Sequence, residues 1–310
     1  MRMLGRHQDA LARAVVATVV AVVGISAGNV ARATPKDTSV HTVQVGNISI
    51  AYREVGHGRP LVLIQGSGAA MDVWDPLMIA TLAEHHRVIE FDNRGVGFST
   101  DDPSQPMTIG LLADDTAGVI HALHLGRPDV LGWSLGGFIA EDLVARHPKL
   151  VRRLVLVSSD PGGTHAVQAA PDVLALDARV TLGQATLDEI LSLLFPPEGL
   201  NAGLAWLDRY SSQPGCCESV AYETGLRQLD AESGWYVTGG GVWASLPELR
   251  SETLVMAGRK DIDVPVQNAR LLAARIPGAT LRLFAHTGHG LPLQRPIAVA
   301  RAVDRFLRAG

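Results

Sequence analysis

The sequence predicts an α/β fold: a mostly parallel central sheet flanked by helices on both faces, interrupted by a helical cap insertion. Two observations carry the sheet. Short apolar runs alternate with segments of helical length and period, and the run at 61–65 is apolar on successive residues, as a strand buried on both faces requires. A third observation carries the cap. Between 161 and 246 the alternation stops, and a helical but irregular stretch is broken by Pro196-Pro197, Pro214-Gly215 and Gly239-Gly240-Gly241.

Taken in order, residues 42–45 and 49–54 alternate polar and apolar side chains around Gly46-Asn47, the pattern of a β-hairpin. Pro60 and Gly66 bound the central strand at 61–65, and a helix is expected over 76–85. The strand at 87–92 leads into Asp92-Asn93-Arg94-Gly95-Val96-Gly97-Phe98-Ser99, and helical period returns over 108–125. A strand at 129–133 is followed by a helix at 135–147 that Pro148 closes, then by a strand at 153–158. Beyond the cap come a strand at 253–257, a helix at 266–276, a strand at 280–284 and a helix at 297–307. Residues 34–160 and 247–310 therefore form the core, and 161–246 the cap.

The 310 residues suit one large α/β domain, and a hydrophobic fraction of 47% allows a sizeable core. A net charge of −4 gives no reason to expect nucleic acid or an anionic membrane surface as a partner. The expected partner is a small molecule. Arg2, Arg6 and Arg13 precede an apolar run that ends near Gly28, and small residues stand at Ala31 and Ala33. This is the pattern of a signal peptide cleaved after Ala33, so residues 1–33 are expected to be removed and the protein exported to the periplasm or medium. The apolar run, at about 15 residues, is short of the roughly 20 that span a membrane, so no membrane association is expected of the mature form. Cys216 and Cys217 are adjacent and lack the spacing of a metal site, and no metal or cofactor is expected.

The chemistry centres on Gly132-Trp133-Ser134-Leu135-Gly136, a G-x-S-x-G between a strand and a helix. In such a nucleophile elbow the turn holds the serine in a strained backbone conformation, and both glycines are small because a side chain would strike the neighbouring strand and helix. The backbone N–H of Leu135 heads the helix and points at the developing oxyanion. A serine hydroxyl needs a base, and the base needs an acid to orient it. The elbow motif places them in the order Ser, acid, His. Beyond the strand ending at Gly258 come Asp261 and Asp263, Asp160 follows another strand end, and His286 and His289 follow the strand ending at Phe284. Parallel sheets gather active sites at those strand ends.

From Leu61 to the C-terminus, the four separated motifs resemble the α/β-hydrolase superfamily. In that family the acid lies three residues after the glycine closing its strand and four before a proline, which selects Asp261 between Gly258 and Pro265. The base sits in a Gly-His pair after the last strand, which selects His289. The resemblance also implies that the second oxyanion donor is the N–H of Ser67, in Gln65-Gly66-Ser67-Gly68. The family usually carries histidine where Gln65 stands, so the hydrogen bonds that support this loop must differ. Arg94 is expected to brace neighbouring loops. A serine at the elbow argues against the aspartate-nucleophile dehalogenases and epoxide hydrolases. The sequence looks closest to capped serine esterases and cofactor-free non-haem haloperoxidases.

The expected function is thus hydrolysis of a carboxylic ester, lactone or thioester through an acyl-enzyme on Ser134. Trp74, Trp133 and Phe138 are candidates for the pocket. The alternatives are perhydrolysis by the same triad and ligand binding on a hydrolase scaffold.

Overall fold

Successive side chains of a strand point to opposite faces, and that period of two sorts the apolar residues of this chain into two cores. The computed structural model describes residues 39–213, 218, 220–237 and 239–309. The expected signal peptide and the pair Cys216-Cys217 lie outside the described residues.

Eight strands form one sheet: β1 (His41–Val45), β2 (Ile48–Val55), β3 (Arg59–Ile64), β4 (His86–Phe91), β5 (Asp129–Trp133), β6 (Arg153–Val157), β7 (Glu252–Gly258) and β8 (Thr280–Phe284). Their order is β1-β2-β4-β3-β5-β6-β7-β8. The first two form the expected hairpin, turning through Gly46 at a φ of 55°. β2 also runs antiparallel to β4, and every later pairing is parallel. β5 and β6, at the centre, are buried throughout, whereas the edge strand β8 is mostly exposed. The apolar run and the central position are thus one observation.

On one face Ile64, Val130, Leu154, Leu156 and Val255 pack against α2 (Ile109–Ala122), α3 (Leu135–Arg146) and α8 (Gln267–Arg275). On the other Leu63, Leu131, Val155, Val157 and Met256 pack against α1 (Pro76–Ala83), α9 (Leu291–Gln294) and α10 (Pro296–Arg308). The helices begin where the local chemistry says they should. Asp75 accepts the N–H of Leu77 ahead of Pro76, and Thr108 accepts that of Leu111.

Between β6 and β7 lie α4 (Pro171–Thr181), α5 (Leu187–Leu194), α6 (Leu200–Ser211) and α7 (Tyr222–Tyr236). This stretch holds no strand among the described residues, and it covers the ends of the parallel strands. Leu191, Leu194, Phe195 and Trp206 pack into the second core, while Ala231 and Trp235 join the first. Arg209 of α6 binds the buried carboxylate of Asp75 at the head of α1 with Nε 3.1 Å from both oxygens, tying this layer to the sheet's flank. The glycine-rich loop after β4 is fixed as its charge suggested. Arg94 donates two hydrogen bonds, of 2.7 and 2.8 Å, to Asp115 on α2, and both side chains are buried.

Candidate active site

The elbow is strained as its sequence demands. Ser134 sits at φ 56° and ψ −125°, on the positive-φ side of the map that a residue with a side chain rarely adopts. Two close approaches hold it there. A Cβ on Gly132 would lie 2.1 Å from the carbonyl oxygen of Gly136, and one on Gly136 would lie 2.0 Å from that of Ile64. Only glycine lets α3 sit this close to β5 and β3. The N–H groups of Gly137 and Phe138 return to the carbonyl of Ser134. That of Leu135 has no acceptor among the described residues, and neither has that of Ser67. Ser67 also stands beside the nucleophile, since a Cβ on the preceding Gly66 would be 3.2 Å from the Cβ of Ser134.

Gln65 is fully buried, and neither its amide nitrogen nor its oxygen finds a partner. The loop is supported from the cap side of the site instead. The N–H of Gly68 donates to Gln228 Oε1 at 3.0 Å, and the Ser67 hydroxyl donates to Glu232, both acceptors lying on α7. Sequence reasoning missed these two residues. Their i, i+4 spacing places them on one helix face, but nothing local in the sequence says which face meets the loop.

Asp261 and His289 come together. His289 Nδ1 lies 3.2 Å from both oxygens of Asp261. The backbone N–H groups of Asp263 and Val264 donate to Asp261 Oδ1 at 3.1 and 2.9 Å, which fixes the carboxylate's direction. The indole of Trp133 donates to the His289 carbonyl at 3.1 Å and lies 5.7 Å from the imidazole, ring centre to ring centre. Gly290 donates to Leu194 at the end of α5, which ties the histidine loop to the cap.

Asp263, the other acid of this loop, reaches the same imidazole. Its side chain is about nine-tenths buried, and its Oδ2 lies 3.3 Å from His289 Nε2, the nitrogen that would take the serine's proton. Ser134 Oγ makes no hydrogen bond to a described residue. The imidazole is therefore flanked by two carboxylates. Burial opposes its charged form, but Asp261 and Asp263 outweigh burial and lift its pKa to about 9. Burial in turn pushes Asp263 up to about 6, against the pull of His289.

The other competitors are elsewhere. Asp160 is buried and accepts from Trp235 Nε1, the Tyr236 hydroxyl and the Gly162 N–H at 3.2, 2.8 and 2.8 Å. Those three donors, not the imidazole, orient it. His286 is 71% exposed and pairs with Glu198, as a loop histidine would.

A cavity of about 50 Å³ opens at Ser134 and Ser67, bordered also by Phe138, Leu174, Tyr236 and Val264, with Asp160, Asp177, Glu232 and Asp263 among its walls. Of the three aromatic residues expected there, only Phe138 borders it. Trp133 and Trp74 correct the expectation. Both are buried in the second core, 6.0 Å apart between ring centres, and the indole N–H of Trp133 is spent on the histidine loop. The cap's carboxylates, Asp177 and Glu232, carry no motif and could not be read from sequence.

A family model described as the alpha/beta hydrolase fold matches residues 59–296. The chain is 34% identical over 260 residues to 2-hydroxymuconate semialdehyde hydrolase of Pseudomonas sp. (strain CF600), covering 81% of this chain and 88% of the relative. Among solved structures it is similar to an alpha/beta hydrolase fold protein from Chitinophaga pinensis, with a TM-score of 0.79 and 27% identity over 87% of this chain and 98% of that one. It is also similar to the esterase RhEst1 from Rhodococcus sp. ECU1013, with a TM-score of 0.71 and 25% identity over 87% and 99% of the two chains.

Proposed function

This chain belongs to the α/β-hydrolase fold family, and within it we propose a serine hydrolase that cleaves a carboxylic ester, or a lactone or thioester, through an acyl-enzyme on Ser134. The observation that carries the reading is the strained elbow, with a serine at φ 56° whose neighbouring N–H groups are unclaimed and whose cavity adjoins a histidine oriented by Asp261.

In the proposed reaction His289 Nε2 leaves Asp263 for the Ser134 hydroxyl as the ester binds. It accepts the proton as Oγ attacks the carbonyl carbon, while Asp261 steadies the imidazolium at Nδ1. The N–H groups of Leu135 and Ser67 receive the oxyanion, each worth roughly a hundred- to a thousandfold in rate. The imidazolium returns the proton to the departing alkoxide. Water then attacks the acyl-enzyme by the same route in reverse roles.

Charge favours this reading over that of the muconate-named relative. A muconate is a carboxylate anion, and the walls of the cavity at Ser134 contribute four acidic side chains and, among the described residues, no lysine or arginine to receive it. Export, expected from the first 33 residues, is part of the proposal.

The test is pre-steady-state release of nitrophenolate from p-nitrophenyl butyrate. The reading expects a burst equal to the enzyme concentration and its loss in Ser134→Ala. Turnover that survives Ser134→Ala overturns it.

A further inference from the structure

The cavity at Ser134 carries more charge than acyl transfer needs. One carboxylate comes from each of four segments: Asp160 after β6, Asp177 on α4, Glu232 on α7 and Asp263 after β7. No lysine or arginine among the described residues borders it. His289, whose charge acts on Asp177 and Glu232 from behind Asp263, is already shared between Asp261 and Asp263.

Asp160 and Asp263 have partners that account for them. Asp177 does not. It borders the cavity, is only partly buried there, and makes no hydrogen bond or ion pair with a described residue. Placing such a group partly out of water without a partner costs free energy and favours its protonated form. Burial, and then the charge of Asp263, push Asp177 up to about 7. Burial, and then Asp177, push Glu232 up to about 8.

A bound cation would remove that cost. No three acidic, histidine or cysteine side chains among the described residues are grouped so as to hold a metal ion. The walls instead combine carboxylates with the rings of Phe138 and Tyr236, a mixture that suits an ammonium group. At about 50 Å³, where roughly 10–15 Å³ holds one water, the space takes a small group of a few non-hydrogen atoms. That fits a primary ammonium on a short chain.

We propose that the substrate carries a protonated primary amine a few bonds from the scissile carbonyl, held by Asp177 and Glu232 while the carbonyl lies at Ser134. This rests on the ester-hydrolase reading. The comparison that isolates it uses two isosteric acyl groups, p-nitrophenyl β-alaninate and p-nitrophenyl butyrate, which differ by an ammonium in place of a methyl.

After subtraction of spontaneous hydrolysis, kcat/KM at pH 8 is expected to favour the β-alanine ester by about tenfold or more, the equivalent of about 1.4 kcal/mol. The ratio should fall by about tenfold in Asp177→Asn, recover in part in Asp177→Glu, and shrink as the pH is lowered from 8 to 6 and the carboxylates take up protons. Calorimetry with β-alaninamide and butyramide reads the same site without turnover. Butyrate cleaved as well as β-alaninate, with a ratio that Asp177→Asn leaves unchanged, overturns the inference and leaves the hydrolase reading standing. Failure of both esters, with β-alaninamide still bound by wild type and not by Asp177→Asn, sinks the hydrolase reading and keeps the ammonium site. Loss of both signals rejects both.

Discussion

Replacing Asp263 with asparagine should make the enzyme faster at neutral pH, although it alters a buried residue beside the proposed base. Asp263 Oδ2 lies 3.3 Å from His289 Nε2 and is one of two carboxylates holding the imidazole pKa at about 9. Two unit charges about 4 Å apart interact by about 1 kcal/mol in water and about 4 kcal/mol at the effective dielectric of a protein site. At about 1.4 kcal/mol per pKa unit, removing the charge lowers the imidazole by about 1 to 3 units, to between about 6 and 8. A base with a pKa of 9 is free in about 3% of molecules at pH 7.5, and one with a pKa of 7.5 is free in about half. For a neutral ester such as p-nitrophenyl butyrate, Asp263→Asn should therefore raise kcat/KM at pH 7.5 by about fifteenfold. The gain should vanish near pH 10. The assay is the pH profile of kcat/KM for both proteins. An acid limb that stays at about 9 in the variant, or a variant slower than wild type at pH 7.5, refutes the assignment of Asp263 as the charge that restrains His289.

Three further outcomes follow from geometry and charge. Gln228→Leu removes the acceptor of the Gly68 N–H and leaves that donor buried, so kcat should drop by about tenfold with KM little changed, as for a loop that shapes the oxyanion site; stopped-flow acylation rates check it. Gly136→Ala puts a Cβ 2.0 Å from the Ile64 carbonyl and should cost about 3 kcal/mol or more in urea unfolding, or prevent folding outright. Glu90 is buried, and burial lifts its pKa from 4.5 to about 7. A carboxyl raised in the folded state favours folding fully below its unfolded pKa and loses that contribution as the pH climbs through the folded one. Wild type should thus lose about 3 kcal/mol relative to Glu90→Gln between pH 4.5 and 8, measured as the difference between their denaturant midpoints.

What was legible in the sequence was whatever local sterics impose. Gly132 and Gly136 had to be glycine for the elbow to close, and the strands at the centre of the sheet had to be apolar on both faces, so the fold and the strained position of Ser134 could be read in advance. The pairing of His289 with Asp261 was legible because both stand at fixed distances from strand ends. The rest depends on how the cap lies over those ends. Glu232 and Asp177 are ordinary exposed-looking residues of helical segments until α7 and α4 turn them toward Ser134. Trp133 seemed placed for a substrate and instead braces the histidine loop, since an indole N–H beside a free carbonyl satisfies both. Asp263 was the hardest to foresee. Two residues from Asp261, it reaches the other imidazole nitrogen, and the short turn between them decides which carboxylate reaches which.

Whether the oxygen of Ser134 becomes covalently bonded during turnover bears on everything above. Treating the protein with a fluorophosphonate, digesting it and sequencing the modified peptide by mass spectrometry answers it directly. A single adduct on Ser134, formed at a rate that collapses in His289→Ala, is the predicted result. An unmodified Ser134 in a folded protein that still hydrolyses esters would contradict the account.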